Sequence, residues 1–341
     1  MKPLHFLFTV LCLSAGAVRA CDLCGCYTPQ LEAMATMPES AGWAHGLYGA
    51  IAEQFTYFGT LQLNGDEVAN PTNQHEDSSI TQLVTGYSIS PRFALQVNVP
   101  LIYRYFERPE GFKIDRGSES GLGDIALLLN TVLFHYSSPG KREFRFEDKS
   151  PVAIDREPDF TASLVLITGI KFPTGATSRL KEEFNEEAVP GASPSGIHGH
   201  DLTLGTGSYD GIFAGQGSIR YKNWFFLADT QFTLRGDGLH QYDFANDLSW
   251  SAGPGYYVVR RPDLIVGLQI VVSGEHKDTD RFRGQPAEDT GITSVYLGPR
   301  IVASWNRLSA ELGADLPVLI QNTALQVVPD YRIRTGISLH F

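Results

Sequence analysis

The sequence predicts an all-β fold, a transmembrane antiparallel up-and-down β-barrel of about twelve strands with short periplasmic turns and long extracellular loops. Three observations lead to it: the last twelve residues alternate between apolar and polar side chains, similar stretches recur along the chain, and short connections alternate with long ones. Beyond the first twenty residues, no run approaches the roughly 18 apolar residues that a spanning helix needs. A membrane protein without such helices must be a closed barrel, because only closure satisfies every backbone group in lipid.

The final stretch, Asp330 to Phe341, shows the alternation most clearly. One face carries Tyr331, Ile333, Thr335, Ile337, Leu339 and Phe341, and the other carries Arg332, Arg334, Gly336, Ser338 and His340. A mostly apolar face backed by two arginines suits a strand between lipid and an aqueous lumen. An edge strand of a soluble sandwich is the alternative for this stretch taken alone.

The other predicted strands follow from the same period of two and from flanking turn residues. They cover residues 46–58, 80–90, 92–106, 121–136, 161–172, 211–221, 224–234, 248–259, 264–275, 293–305 and 308–318. The connections Ser90-Pro91-Arg92, Lys222-Asn223 and Asn306-Arg307 are tight, whereas the longest loop covers roughly residues 173–207. Outer-membrane barrels have this asymmetry, with short turns in the periplasm and long loops outside. An even number of strands places both termini in the periplasm.

The N-terminal region predicts export. Lys2, an apolar core from Phe6 to Val18 and the small-residue site Val18-Arg19-Ala20 are typical of a secretory signal over residues 1–20. Residues 21–44 are interpreted as a periplasmic cysteine-containing segment, with a short helix around Leu31 to Met37, and residues 45–341 as the barrel. The net charge of −11 argues against a nucleic-acid partner.

Three cysteines follow the predicted cleavage site, in the pattern C-x-x-C-x-C formed by Cys21, Cys24 and Cys26. One interpretation is a disulfide with one remaining thiol, which is either free or, at Cys21, lipidated. The other is a soft metal such as Cu(I) or Zn(II), or the docking of a periplasmic redox or metal-carrier protein. No other cofactor is predicted, because the pattern for covalent haem attachment needs a histidine after Cys24.

If the more apolar face of each strand meets lipid, a set of charged side chains points into the lumen. These residues are Arg104, Asp124, Lys171, Arg220, Asp229, Glu275, Arg300, Glu311, Asp315, Arg332 and Arg334. Charges of mixed sign across a narrow lumen can constrict it and orient a passing solute, so the set is a candidate filter. The alternative is that the charges only pair within a packed interior. The inward glycines Gly253, Gly255, Gly267 and Gly298 favour some open volume.

Aromatic residues collect near the predicted strand ends, as in the interfacial girdles of membrane barrels. Examples are Tyr57, Tyr105, Trp224, Tyr256 and Trp305.

The sequence offers little support for an enzyme. It has no Gly-x-Ser-x-Gly elbow, no phosphate-binding glycine loop and no metalloprotease motif. His198, His200 and Asp201 could in principle bind a metal in an extended loop, but incidental histidines in a polar loop are the simpler interpretation. We therefore expect a non-enzymatic protein, with an outer-membrane hydrolase as the least favoured alternative.

The barrel region resembles the outer-membrane transporters of the meta-pathway phenol-degradation type. The similarity rests on Gly121-Leu122-Gly123-Asp124, on Ile170-Lys171-Phe172-Pro173-Thr174-Gly175, on Leu204-Gly205-Thr206-Gly207-Ser208-Tyr209-Asp210 and on the terminal Phe341. The resemblance implies a transport barrel in the bacterial outer membrane, with lipid and the barrel-assembly machinery as partners. It also implies that the assembly machinery recognises Phe341.

These observations predict a porin or transporter that passes small solutes, aromatic or otherwise hydrophobic ones included, by passive diffusion. The alternative function is a barrel scaffold whose Cys21, Cys24 and Cys26 bind a metal or dock a redox partner.

Overall fold

The computed structural model describes residues 46–139, 142–147, 150–155, 158–185, 189–261 and 263–341. Its strands are β1 (Gly46–Leu63), β2 (Asp66–Glu67), β3 (His75–Ser90), β4 (Phe93–Glu110), β5 (Lys113–Leu122), β6 (Ala126–Ser137), β7 (Arg142–Glu147), β8 (Ser150–Asp155), β9 (Phe160–Lys171), β10 (Asp210–Tyr221), β11 (Trp224–Leu234), β12 (Tyr242–Asp243), β13 (Asp247–Arg260), β14 (Leu264–Lys277), β15 (Asp280–Phe282), β16 (Gln285–Ala287), β17 (Ile292–Trp305), β18 (Leu308–Asn322) and β19 (Leu325–His340). A 3₁₀ helix covers Ser178–Phe184, and a single-turn helix, α1, covers Gly199–Leu202. The signal peptide, the cysteine segment and the short helix predicted at Leu31 to Met37 lie outside the described residues.

Twelve antiparallel strands of the described chain form a closed barrel, which confirms the predicted fold class. Their order is β1, β3, β4, β6, β9, β10, β11, β13, β14, β17, β18 and β19, and β19 pairs with β1 to close the cylinder. The strands β5 and β6 pair with successive parts of β4. Leu101 of β4 pairs with Leu122 of β5, and Asn98 of β4 pairs with Ala126 of β6. Each wall strand therefore lies in a continuous hydrogen-bonded sheet, as a lipid environment requires.

Burial alternates along the strands and separates an outer from an inner face. On β1, for example, Ala50, Ala52 and Gln54 are buried whereas Ile51 is 57% exposed. Leu101, Ile270 and Leu312 are likewise exposed large apolar side chains. Such a surface would be unfavourable in water and suits hydrocarbon.

Aromatic residues lie at both rims of this outer face. Tyr57, Tyr105 and Tyr331 mark the rim away from the tight turns, and Trp224 and Trp305 mark the ends that lead into those turns. On the outer face, the hydroxyls of Ser79 and Thr81 donate hydrogen bonds to the Glu53 carboxylate. Among the described residues, no helix is long and apolar enough to cross a bilayer.

Most predicted strand boundaries agree with the structure within a few residues, but β3 begins earlier than expected. It starts at His75 rather than at residue 80, because Glu76 to Ser79 are polar on both faces and carry no apolar alternation. The tight turns have the expected chemistry: Asn306 adopts a left-handed φ of 52° between the paired Trp305 and Leu308. The connection between β6 and β9 contains the hairpin of β7 and β8.

The barrel wall is shorter at β9 and β10 than at β1 and β4. β9 stops at Lys171 and β10 starts at Asp210, whereas β1 and β4 continue to Leu63 and Glu110. The long connection between β9 and β10 leaves the wall at this point and provides the candidate functional site.

Candidate functional site

The connection between β9 and β10, which we call the plug loop, is described over residues 172–185 and 189–209, and these residues cross the barrel from one wall to the opposite one. The loop leaves from β9 and returns to β10, and β10 lies six strands away from β19 in the twelve-strand order. The backbone N–H of Val327 on β19 nevertheless donates to the carbonyl of Gly196 in the loop at 3.0 Å. The side chain of Gln74, at the start of β3, accepts from the N–H of Gly196 at 2.7 Å. The loop therefore reaches across the end of the lumen that lies away from the tight turns, and it does not extend freely from the barrel.

Apolar packing holds the far end of the plug loop against the wall. Ile197 and Leu202 join Phe58, Leu61 and Phe106 in one buried cluster. Burying a leucine or isoleucine side chain contributes about 1.5–3 kcal/mol, so these two side chains favour a docked loop.

Arg104 of β4 holds the same end of the loop through its backbone. Its guanidinium donates to the carbonyls of Asp201 and Thr203, the latter at 2.7 Å, and its Nε lies 3.5 Å from the Glu76 carboxylate. Arg104 is completely buried. Two carbonyls and one carboxylate thus surround a single cation beneath the loop.

A histidine pair lies directly above Arg104, in the plug loop. The His200 ring contacts the carboxylates of Glu183 at 3.0 Å and Asp201 at 3.3 Å, and it stacks on His198 and Tyr242. Burial alone would lower the pKa of His200, but these two carboxylates outweigh it and raise the pKa well above its ordinary value of 6.5. The charged His200 lowers the pKa of Asp201 against the opposing effect of burial.

The pKa of His200 predicts that alkaline conditions loosen the plug loop. Because the folded pKa lies above the unfolded one, the stabilisation is complete below about pH 6.5 and is lost as pH rises through the folded value. The contacts of His200 with Asp201 and Glu183 should weaken in that alkaline window. Arg104 and Glu76 lie nearby, and burial raises the pKa of Glu76 to about 8. We expect conductance in planar bilayers to rise with pH there and the His200→Gln variant to lack this dependence. An unchanged pH profile in the variant would contradict the assignment.

The base of the plug loop is held by a second charge network. The Asp124 carboxylate accepts from the N–H of Gly175 at 2.9 Å and from the N–H of Thr206 at 2.8 Å, so it joins the two ends of the loop. Lys171 lies 3.3 Å from Asp124 and 2.8 Å from Asp210. The three short motifs that carried the family resemblance therefore meet at one place, and each supplies one of these charges.

Arg235 and Asp247 extend this network, and neither was predicted from the sequence. Arg235 contacts Asp210 at 2.8 Å and forms an ion pair with Asp247. Asp247 was assigned to a loop because it precedes the apolar alternation of β13. The one signal in the sequence was the presence of Asp and Lys residues at the ends of successive strands. This signal identifies the residues as partners only once the strands are aligned.

The remaining predicted lumen residues occupy several levels of the interior. Glu275, Arg300, Glu311, Asp315 and Arg332 are buried, whereas Arg220, Asp229 and Arg334 are half-buried. Across the lumen, Arg332 donates to Glu275 at 3.0 Å and to the Tyr296 hydroxyl at 3.1 Å.

Four of the predicted charges have partners on neighbouring segments. Arg334 lies 3.3 Å from Asp315, and the Ser251 hydroxyl donates to Asp229. Arg220 donates to the carbonyl of Pro158 at 3.0 Å near the turn side. The arrangement thus contains both cross-lumen and neighbouring pairs, and a filtering role for the whole set stays a prediction.

The expectation that inward glycines leave open volume was wrong for Gly255 and Gly267. A Cβ at Gly255 would lie 2.1 Å from the Phe225 ring, and one at Gly267 would lie 3.0 Å from Phe225, Tyr257 and Val302. Phe225 and Tyr257 stack at 4.4 Å between ring centroids over these positions. The glycines make room for aromatic rings, not for water.

One sector of the inner wall is apolar instead of charged. Ala126 and Leu128 of β6, Val165 and Ile167 of β9, and Ile212 of β10 form a buried cluster that also includes Ala214. These three strands therefore have apolar side chains on both faces, which is unusual for a purely aqueous lumen.

Of the predicted metal and assembly residues, the structure describes only Phe341. Cys21, Cys24 and Cys26 lie outside the described residues, so the metal, disulfide and lipid interpretations stay predictions. In the part of the chain that the structure describes, no group of His, Cys, Asp or Glu is arranged to hold a metal ion. Phe341 is 64% exposed, and its N–H donates to the carbonyl of Leu47 on β1.

The chain is similar in fold to a solved outer-membrane channel from Pseudomonas putida F1, with 12% identity and a TM-score of 0.54 over 87% of this chain and 96% of that one. Two autotransporter domains align less well. The Bordetella BrkA β domain has 12% identity and a TM-score of 0.42 over 87% of this chain and all of that one, and the Neisseria meningitidis NalP translocator domain has 9% and 0.39 over 87% and 89%. The sequence itself matches no family profile and no curated protein. The fold of this chain is therefore that of the outer-membrane β-barrels.

Proposed function

We propose that this protein is an outer-membrane channel for small solutes, closed at its outer mouth by the plug loop and opened when that loop undocks. The observation that carries the proposal is the crossing of the lumen between β10 and β19. A barrel that served only as a scaffold would have no need to hold one loop across its own bore with two separate charge networks.

The way in which the plug loop is held suits a gate. Its neck is narrow, because the carbonyl of Ala176 accepts from the N–H groups of Leu204 and Gly205 at 3.0 and 3.2 Å. The Asp124 network fixes this neck, whereas Arg104 and the Ile197 cluster fix the far end. Release of the far end alone would let the loop swing on its neck without disturbing the strands.

The inner wall supports a solute with both polar and apolar parts. The Arg332–Glu275 and Arg334–Asp315 pairs lie on β14, β18 and β19, while the apolar cluster lies on β6, β9 and β10. A solute in the bore would face both sectors at once. Passive diffusion is sufficient, since the wall residues provide contacts but no source of energy.

Excision of the plug loop tests the proposal. Residues 177–203 can be replaced by a short Gly-Ser linker, because Ala176 and Leu204 are already hydrogen-bonded to each other. We expect the shortened chain to show a roughly tenfold or larger increase in conductance in planar bilayers, since the loop spans the outer mouth.

The matched control removes the hairpin of β7 and β8, which pairs only with itself among the described strands. This control should conduct like the full-length chain. A correctly folded, loop-deleted barrel with the conductance of the full-length chain would rule out the plug as the gate, and absence of any conductance in either form would rule out the channel.

A further inference from the structure

Two connections between wall strands join into one small sheet that lies against the plug loop. The connection from β11 to β13 contains β12, and the connection from β14 to β17 contains β15 and β16. The strand β12 pairs with β15, with Tyr242 opposite Phe282, and β15 pairs in turn with β16. We call residues 235–246 and 278–291, which include this three-stranded sheet, the lid.

One buried carboxylate, that of Asp280, joins the parts of the lid and roots them in the barrel. Asp280 is completely buried, and it accepts from the Tyr242 hydroxyl at 2.7 Å and from the N–H of Ala245 at 2.8 Å. The ammonium of Lys277, at the end of β14, donates to the same carboxylate at 2.6 Å. The N–H of Asp280 donates to the Thr290 hydroxyl at 2.8 Å. The two connections therefore form a single unit.

Apolar and aromatic side chains of the lid pack on the 3₁₀ helix of the plug loop. Leu180 of this helix is completely buried in a cluster with Tyr242 and Phe244, and Phe282 packs against the same cluster. Phe184, the last residue of the helix, meets Phe282 edge to face, with 5.0 Å between the ring centroids. Aromatic pairs favour this arrangement, so the lid stabilises the docked helix.

Polar contacts extend the interface between the lid and the plug loop in both directions. Near the neck of the loop, the Thr177 hydroxyl lies 3.3 Å from a ring nitrogen of His240. Near its far end, the His198 ring lies 3.2 Å from the Asp289 carboxylate. The lid thus contacts the plug loop near its neck, at its helix and near its far end.

The wall side holds the same 3₁₀ helix through other residues. Arg179 of the helix lies 2.7 Å from Glu119 of β5, and Glu182 lies 2.7 Å from Arg108 of β4. The helix is therefore held by β4 and β5 through its charged side chains and by the lid through its apolar ones. Of these two supports, only the lid belongs to a sheet separate from the barrel.

We propose that the lid locks the plug loop, and that it must separate from Leu180 and Phe184 before the loop can leave the bore. This inference rests on the proposed channel function and specifies how the gate is controlled. Because β12, β15 and β16 form a sheet of their own, they can move together while the wall strands keep their pairing. Arg104 and the lid hold the loop at different places, so weakening either one favours the open state.

Phe282→Ala tests the lock on the full chain. The substitution removes the ring that meets Phe184 and leaves the contacts of Asp280 in place. An aromatic pair of this kind changes an equilibrium by about twofold to tenfold, so we expect the open probability in planar bilayers to rise by about that factor. Hydrogen exchange in lipid nanodiscs should become faster in residues 178–184 and stay at wild-type rates in the wall strands.

Phe184→Ala removes the same contact from the side of the plug loop. It should raise the open probability by a similar factor, and the double variant should show no larger increase than either single one, because all three lack one and the same interaction. Gln285→Ala, at an exposed position of β16, is the matched control and should change neither the exchange nor the open probability.

Wild-type exchange together with wild-type open probability in Phe282→Ala would overturn the lock. Faster exchange in residues 178–184 at wild-type open probability would also overturn it, because the lid would then hold the helix without controlling opening. Increases that multiply in the double variant would show that Phe282 does not act through Phe184. Any of these results, combined with increased conductance on removal of the plug loop, leaves the channel function standing, whereas absence of that increase refutes the gate itself.

Discussion

Replacement of Arg104 by alanine is expected to open the barrel. The substitution removes the cation that donates to the carbonyls of Asp201 and Thr203. A hydrogen bond from a charged group contributes about 1.5–3 kcal/mol, so the loss of two such bonds costs about 3–6 kcal/mol. Even the lower value corresponds to a shift of about a hundredfold in the equilibrium between the docked and the released plug loop. Single-channel recording should therefore show a large increase in open probability.

The control for Arg104 is Arg116→Ala on β5. The Arg116 side chain is 63% exposed and lies 3.7 Å from Glu107, so its removal should change the open probability little. If Arg104→Ala has the same open probability as the wild type, the arginine does not hold the loop.

Replacement of Lys171 by methionine is expected to destabilise the barrel more than any other single change in its wall. Lys171 is buried between Asp124 and Asp210, and without it the two carboxylates face each other with only Arg235 nearby. Removing one member of a buried ion pair typically costs about 3–5 kcal/mol, which is the expected loss in the free energy of unfolding. Urea-induced unfolding in lipid vesicles, followed by the gel shift between folded and heat-denatured forms, measures this quantity.

The exposed Lys113 at the start of β5 provides the comparison, and Lys113→Met should leave the unfolding free energy within about 0.5 kcal/mol of the wild type. Combining Lys171→Met with Asp124→Asn should recover part of the loss, since one of the two carboxylates is then neutral. An unfolding midpoint for Lys171→Met equal to that of the Lys113 variant would show that the network does not stabilise the wall.

The strands could be predicted because the residues that determine each strand lie close together in the sequence. Alternation with a period of two fixes which side chains share a face, and a turn such as Asn306-Arg307 fixes where a hairpin reverses. The prediction was weaker where the alternation was absent, as at His75 to Ser79, whose polar side chains serve both faces above the lipid.

The plug loop could not be predicted, because its contacts join residues that are distant in sequence. Ile197 and Leu202 are isolated apolar residues among Gly, His and Pro, with no period that would indicate burial. Arg104 donates to the carbonyls of Asp201 and Thr203, which lie 97 and 99 residues further along the chain. Nothing in the spacing of these residues identifies them as partners.

The glycines illustrate the same limit at short range. Their inward placement followed from alternation, but the volume above Gly255 is taken by Phe225, a residue of the neighbouring strand β11. Whether a missing side chain leaves a cavity depends on the neighbours that close packing brings in.

By itself the sequence determined a barrel of twelve strands, the face that each strand turns to lipid and the loop that is longest. Only the tertiary structure decided that this loop lies across the bore, that Asp124, Lys171 and Asp210 hold its neck, and that Phe225 and Tyr257 fill the space at the inward glycines Gly255 and Gly267. The reason is physical: strand faces follow from backbone geometry within a few residues, whereas the enclosed contacts exist only after closure of the sheet brings distant side chains into one interior.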